Sequence, residues 1–266
     1  MEKIGLIAGN RKFPFIFSEA AKKKDYYIVA VAIKGDTSVK LKKFVDKIYW
    51  IGLDEFSLLL DIFKKEGVEK IIMAGQISPR RLFSKEIGRD AQLQQLISSL
   101  KDKKADTIFG AIALKLKESG FQLMDSTAFI QDFLPKKGTL SRLEPDFRIW
   151  EDIYFGLDLA KAVACLDIGQ TVAVKDKAIV AVEALEGTDN LIKRAGRITD
   201  GITVVKVSKP KQDMRFDIPV VGLNTIKNLV RAGAKSLAIE ADKTIFIDKR
   251  ESLALADKKG ISVVAV

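Results

Sequence analysis

Apolar and polar positions along the chain follow two alternating rhythms. Short continuous apolar runs, rich in β-branched residues, occupy residues 3–9, 27–33, 47–51 and 69–74. Between them lie segments with apolar positions at 3.6-residue spacing, such as Phe56, Leu59, Leu60 and Phe63. Runs of the first kind suit strands buried on both faces, and segments of the second kind suit helices lying on those faces. Pro14 suits the first turn of the helix over 14–24. Asp54 is expected to cap the helix that Gly67 ends. Strand and helix in alternation imply a mostly parallel sheet covered on both sides.

Residues 79–133 read mainly as helix, with the clearest apolar stripe, Ile108, Ala111, Ile112 and Leu116, within 105–118. Asp125 and Ser126 are placed to cap the segment after them. The run Leu134-Pro135-Lys136-Lys137-Gly138 breaks the pattern with Pro and Gly close together. Alternation then restarts: helices over 148–166, 188–197, 222–232 and 248–259, and strands over 170–174, 178–183, 202–207, 236–240, 244–247 and 261–266. The fold class expected is α/β in two domains. Residues 1–134 form a Rossmann-like domain with a mostly parallel sheet, 135–147 a linker, and 148–266 a second, mixed α/β domain carrying the catalytic motifs.

Composition narrows the chemistry. The chain has no histidine and one cysteine, Cys165. That excludes a Ser-His-Asp triad, a Cys-His pair, an internal disulfide and a Cys-rich zinc site. A metal would be held mainly by oxygen, which favours Mg²⁺, Ca²⁺ or Mn²⁺. The 45 Lys and Arg against 35 Asp and Glu leave a net charge of +10, carried in short lysine clusters. No nucleic-acid recognition motif accompanies that charge, so no nucleic-acid partner is expected; an anionic lipid surface remains compatible with it. No apolar run approaches the ~18 residues of a membrane span. The start, Met1-Glu2-Lys3-Ile4, lacks the layout of a signal peptide, so a cytoplasmic location is expected.

Four strand exits carry polar groups. Gly9-Asn10-Arg11-Lys12-Phe13-Pro14 leaves the first strand, where a glycine admits a ligand to the backbone and a helix N-terminus follows. The dinucleotide fingerprint G-x-G-x-x-G is missing. Gly75-Gln76, followed by Arg80, leaves the fourth strand, and both loops are expected on the same sheet edge, where open parallel sheets bind ligands. Glu183-Ala184-Leu185-Glu186-Gly187-Thr188-Asp189 enters a helix carrying Arg194. Lys209-Pro210-Lys211-Gln212-Asp213-Met214-Arg215-Phe216-Asp217-Ile218-Pro219 mixes cations with two carboxylates. Cations neutralise phosphate oxygens and carboxylates hold Mg²⁺ or orient water, a mixture suited to diphosphate chemistry.

These residues carry a resemblance. Gly5 to Gly9 with Pro14, Met73-Ala74-Gly75-Gln76, Asp167-Ile168-Gly169-Gln170-Thr171-Val172, Val182-Glu183-Ala184, Glu186-Gly187-Thr188-Asp189, Arg194-Ala195-Gly196, Lys209-Pro210 with Gln212-Asp213-Met214-Arg215-Phe216-Asp217, and Ala238-Ile239-Glu240-Ala241 together resemble the UDP-2,3-diacylglucosamine pyrophosphatases of the LpxI type, from bacterial lipid A synthesis. The resemblance implies two α/β domains with the substrate in a cleft between them. It implies Mg²⁺-dependent hydrolysis, with Mn²⁺ as an alternative, of the nucleotide glycolipid to UMP and 2,3-diacylglucosamine 1-phosphate. It implies a cytoplasmic enzyme able to sit peripherally on the inner membrane. By motif, Asp213 and Asp217 become the catalytic and metal-binding candidates. Lys209, Gln212 and Arg215 would contact the diphosphate. Thr188, Asp189 and Arg194 would line the facing wall, with Gln170 a further contact. Gly9, Asn10, Phe13, Pro14, Gly75 and Gln76 would contribute from the first domain. The first loop departs from the pattern at Asn10-Arg11-Lys12, where a second glycine is expected. A homodimer is the base-rate expectation. The competing readings are a nucleotide- or NAD(P)-binding Rossmann-type oxidoreductase, from the first strand-loop-helix, and a basic non-enzymatic binding protein, from the charge.

Overall fold

The computed structural model describes residues 1–77, 81, 90–100, 102 and 105–266. The chain divides into two units, one of Met1–Gln131 with Asp213–Asp217, the other of Asp132–Gln212 with Ile218–Val266.

The first unit is built on five strands, β1 (Lys3–Ala8), β2 (Tyr27–Ile33), β3 (Lys47–Ile51), β4 (Lys70–Ala74) and β5 (Gln122–Leu123). Their order is β3-β2-β1-β4-β5, and every pairing is parallel. The described helices are α1 (Phe13–Lys22), α2 (Phe56–Glu66), α3 (Ala91–Ser98) and α4 (Ala105–Glu118). Leu59, Leu60 and Phe63 of α2, Leu93 of α3, and Ala113 and Leu116 of α4 share one core with Val29, Val31 and Ile71 of the sheet. Each Leu, Phe, Val or Ile among them contributes roughly 1.5–3 kcal/mol on full burial. Gly5 is required where α2 crosses β1, because a Cβ there would lie 2.9 Å from both Phe63 and Val68.

Two local readings change. The residue before α2 is Glu55, not Asp54; the Glu55 carboxylate folds back onto the Gly52 N–H and the helix starts later. Helix is the main element among the described residues of 79–133, as expected, but the two-residue β5 follows α4, and a turn occupies 125–130. The Asp125 carboxylate accepts from the Thr127 N–H at 2.7 Å, forming a turn rather than capping a helix. Arg80, and the part of that reading on 78–80, 82–89, 101 and 103–104, lies outside the described residues.

The second unit carries β6 (Gly138–Thr139), β7 (Thr171–Lys175), β8 (Ala178–Val182), β9 (Thr203–Lys206), β10 (Val220–Val221), β11 (Ser236–Ile239), β12 (Ile245–Phe246) and β13 (Ser262–Ala265). Six form a sheet of order β6-β13-β11-β9-β7-β8, while β10 and β12 pair by themselves. The core trio β13, β11 and β9 is parallel; β6, β7 and β8 pair antiparallel. The segment 135–147 thus supplies an edge strand, β6. The helices are α5 (Phe147–Cys165), α6 (Thr188–Ala195), α7 (Leu223–Arg231) and α8 (Lys249–Lys258). Alternate strand residues serve opposite faces. Ala173, Val204, Leu237 and Val263 pack with Leu191, Ile192, Ile226 and Ala256. Val172, Val205, Ala238 and Val264 pack with Ile153 and Ala160 of α5.

The hairpin between β7 and β8 turns through Asp176 and Lys177, both at positive φ (49° and 58°). Buried Asp152 of α5 accepts both turn N–H groups, at 3.2 and 2.7 Å, anchoring the hairpin tip to the helix. No helix among the described residues is long and apolar enough to cross a membrane.

Candidate functional site

Parallel strands place their carboxyl ends along one edge, so β1 and β4 deliver Gly9-Asn10 and Gly75-Gln76 to neighbouring positions. The two loops are joined: the Gly9 N–H donates to Ala74 O and the Asn10 N–H to Gln76 O, both at 2.8 Å. A Cβ at Gly9 would lie 2.7 Å from the Gln76 nitrogen and oxygen, and one at Gly75 2.5 Å from the Asn10 oxygen. The close approach that these glycines permit is therefore taken by each other's backbones. Phe13 and Pro14 begin α1 with buried side chains.

The same edge receives the distant segment 213–217. The Asp213 carbonyl accepts from the N–H groups of Phe216 and Asp217, at 3.3 and 3.0 Å, making a single helical turn. Residues four apart in such a turn share a side, which brings Asp213 and Asp217 together. The turn is held by Ser126, 89 residues away in sequence: its Oγ lies 2.7 Å from both Met73 O and Arg215 O, and its N–H donates to Met214 O at 3.0 Å. Phe216 packs against the core of the unit and stacks on Phe109 at 6.0 Å.

Arg215 grips Asp213 with two parallel bonds, Nε to Oδ1 at 2.9 Å and an Nη to Oδ2 at 2.6 Å. Hydrogen bonds from Arg215 hold the Asp213 carboxyl below the usual carboxylate range, burial opposing them. Asp213 and Asp217 offer the oxygen donors that Mg²⁺ takes, and Mg²⁺ needs only one or two carboxylates beside phosphate and water. The donor set fits the ion, provided that Arg215 releases Asp213. Among the described residues no group of three or more Asp, Glu or Cys converges as a ready-made cage.

In the second unit β8, β9 and β11 end, and β7 begins, on one edge. There Thr188 Oγ1, the first residue of α6, meets Lys206 Nζ at 2.6 Å, Glu183 Oε1 at 3.0 Å and Thr171 Oγ1 at 3.2 Å. The Gln170 N–H points at Glu183 Oε2, 3.4 Å away. Asp189 is bonded by the Asn224 amide at 2.7 Å, and Arg194 pairs with Glu186 and donates to Val182 O. Lys209 Nζ lies 2.7 Å from Asp167, and its N–H donates to Gln212 Oε1 at 2.7 Å. Glu240, after β11, binds Lys161, Lys243 and Ser208. Burial alone would raise its carboxyl, but those bonds outweigh burial and pull the pKa down to about 2.

The expected residues therefore fall into two clusters: Gly9, Asn10, Gly75, Gln76, Asp213, Arg215 and Asp217 in the first unit, and Gln170 and Thr188 in the second. Asp189 and Arg194 are bound instead to α7 and to the loop before α6. Among buried polar atoms of the described residues with no bonding partner are Asn10 Oδ1 and Gln170 Oε1, both on expected contact residues. Sequence reasoning missed Ser126, Lys161, Lys206 and Ser208 and did not select Glu183 or Glu240. Lys206 did leave a signal, a charge inside the apolar run Ile202-Thr203-Val204-Val205-Lys206-Val207.

The family model of the LpxI N-terminal domain matches residues 3–133, and that of the LpxI C-terminal domain residues 136–264. A relative from Caulobacter vibrioides, UDP-2,3-diacylglucosamine pyrophosphatase LpxI, is 27% identical over 278 residues, covering 100% of this chain and 98% of its own length. Among solved structures, the biotin carboxylase domain of the Hydrogenobacter thermophilus 2-oxoglutarate carboxylase aligns at 14% identity and TM-score 0.29, over 74% of this chain and 41% of that one. N5-carboxyaminoimidazole synthetase from Staphylococcus aureus aligns at 14% identity and TM-score 0.25, over 66% and 38%. The chain spans less than half the length of either. With both domain models matched in order along its length, the chain belongs to the LpxI family.

Proposed function

We propose that this protein hydrolyses the diphosphate bond of UDP-2,3-diacylglucosamine, giving UMP and 2,3-diacylglucosamine 1-phosphate, with Mg²⁺ as its metal ion. The observation that carries the reading is the Asp213–Asp217 turn, pinned by Ser126 to the carboxyl edge of a parallel sheet. The full-length relationship to the Caulobacter enzyme supports the choice of substrate.

Arg215 is the group that senses the diphosphate. Phosphate oxygens compete with Asp213 for its guanidinium, since both accept the same two-pronged donor. Transfer of Arg215 to the substrate frees the Asp213 carboxylate, which with Asp217 would hold the ion. Mg²⁺ bound there supplies neutralisation of the phosphate charge. With no histidine in the chain, a carboxylate is the general base, and Asp217 takes that role. As water attacks phosphorus, one of its protons passes to the Asp217 carboxylate. The bond from that phosphorus to the bridging oxygen breaks, leaving two phosphate monoesters. Lys209 and Gln212, in the segment leading into the 213–217 turn, add donors to the diphosphate. The acyl chains make the substrate a membrane lipid, and the net charge of +10 favours an anionic bilayer surface.

The test is UMP release from the nucleotide glycolipid. Asp217→Asn lowers kcat by about 10²–10⁴-fold, the usual worth of a general base, with substrate still bound. EDTA abolishes release and Mg²⁺ restores it. Full turnover in both Asp213→Ala and Asp217→Ala removes the assignment.

A further inference from the structure

Lys206 ends β9, and its side chain is only 4% exposed. It stands opposite Thr171 across the antiparallel β7–β9 pair. Directly opposed residues share a sheet face, here the face covered by α6. Its ammonium donates to Thr188 Oγ1. A hydroxyl has one hydrogen and two lone pairs, and Thr188 has used all three. Its hydrogen goes to Glu183, and its lone pairs accept from Lys206 and Thr171. Thr188 therefore separates the ammonium from the carboxylate. Among the described residues Lys206 has no ion-pair partner, and two of its three N–H bonds have no acceptor.

Glu183 is thus a counter-charge only at second hand, and a buried charge without a direct partner is costly. A buried ammonium with two spare hydrogens is a donor for an oxyanion.

We infer that Lys206 anchors a phosphoryl group of the bound ligand. The identity of that phosphate rests on the substrate reading proposed for the diphosphate; the anchor itself requires only phosphate oxygens. The ligand then gives Lys206 the direct ion pair that Thr188 keeps it from making with Glu183. The lysine is held for binding, so its removal relieves the unligated protein.

The experiment uses the full chain and two variants, Lys206→Met and Lys206→Gln, in Mg²⁺-free buffer. Calorimetric titration with inorganic pyrophosphate, UMP and inorganic phosphate is run beside urea unfolding. The expected result is an unligated urea midpoint equal to or above wild type in at least one variant, with pyrophosphate or UMP bound tenfold or more weakly. A lower midpoint in both variants with binding unchanged makes Lys206 a scaffold residue and overturns the inference. So does a wild-type protein that binds none of the three probes. Tighter binding of UMP and pyrophosphate than of phosphate assigns the anchor to a substrate diphosphate; equal binding makes free phosphate the occupant. Unchanged KM and kcat for UMP release in Lys206→Met sinks the anchor and leaves the proposed reaction standing. Loss of pyrophosphate binding in a protein whose wild type releases no UMP does the reverse.

Discussion

Replacing Gly75 by alanine tests how the first-unit site is assembled. Gly75 has φ +91°, and an added Cβ would lie 2.5 Å from the Asn10 carbonyl oxygen and 2.9 Å from the Gly9 carbonyl carbon. The left-handed backbone costs a residue with a Cβ about 1–2 kcal/mol. The clash is with main chain, which cannot rotate away, and forcing the loops apart adds about 1–3 kcal/mol. It also strains the 2.8 Å bond from the Asn10 N–H to Gln76 O. Gly75→Ala should therefore destabilise the first unit by about 2–5 kcal/mol, lowering its urea midpoint by roughly 1–2.5 M for a slope of about 2 kcal/mol/M. Trp50 and Trp150 are the two tryptophans. Fluorescence in a Trp150→Phe background follows Trp50, which lies in β3 of this unit. Gly9→Ala meets the Gln76 backbone at 2.7 Å without the cost of a left-handed backbone and should lose about 1–3 kcal/mol. Both substitutions separate the same pair of loops, so the double variant should lose about 1–2 kcal/mol less than the sum. An unchanged midpoint for Gly75→Ala, or strict additivity, refutes the zipped-loop account.

Three other contacts give measurable outcomes. Ser126→Ala removes the one hydroxyl hydrogen that the Met73 and Arg215 carbonyls share and should cost about 1–3 kcal/mol; UMP release should lose kcat more than KM, and an unaltered kcat counts against the pinning role. Asp152→Ala removes the acceptor of two hairpin N–H groups and should destabilise the second unit by about 1–3 kcal/mol, read by Trp150 fluorescence during urea unfolding. Glu240 ionises at about 2 against an ordinary value of 4.5. A depressed carboxyl stabilises the fold fully above about 4.5, and that stability is lost as pH falls toward about 2. Allowing for solvent screening the contribution is about 1–2 kcal/mol. Wild type should therefore lose stability relative to Glu240→Gln across that acid window, and parallel urea midpoints would contradict it.

The architecture was readable because its signals are local. Runs such as Tyr27–Ile33, buried nearly throughout, leave no polar face, and that is the mark of a strand covered on both sides. The helix over 105–118 was legible from its apolar stripe, and its bounds match α4. β5 escaped because two residues carry no period, and its pairing with β4 is a tertiary event. The site was legible only in part, for the same reason. Asp213, Arg215 and Asp217 stood out as charges crowded between prolines, but their docking on Ser126 joins positions far apart in sequence. Thr188 was visible as a helix start; that its hydroxyl is consumed by Lys206, Thr171 and Glu183 is set by strand register. Gly9 and Gly75 stood out as glycines at strand exits; that each faces the backbone of the other's loop follows from the pairing of β1 with β4.

The excursion of five residues, Asp213–Asp217, into a unit otherwise made of Met1–Gln131 has a practical meaning for dissecting the protein. A fragment cut after residue 131 is a lock without its bolt: Ser126 loses its clients, and Phe109 and the neighbouring core lose Phe216 as a lid. Such a truncation is not an autonomous module, and its mirror-image partner carries a loose tongue with nowhere to seat. Complementation by a synthetic peptide spanning the missing turn, rather than expression of separate halves, is the route to studying either piece.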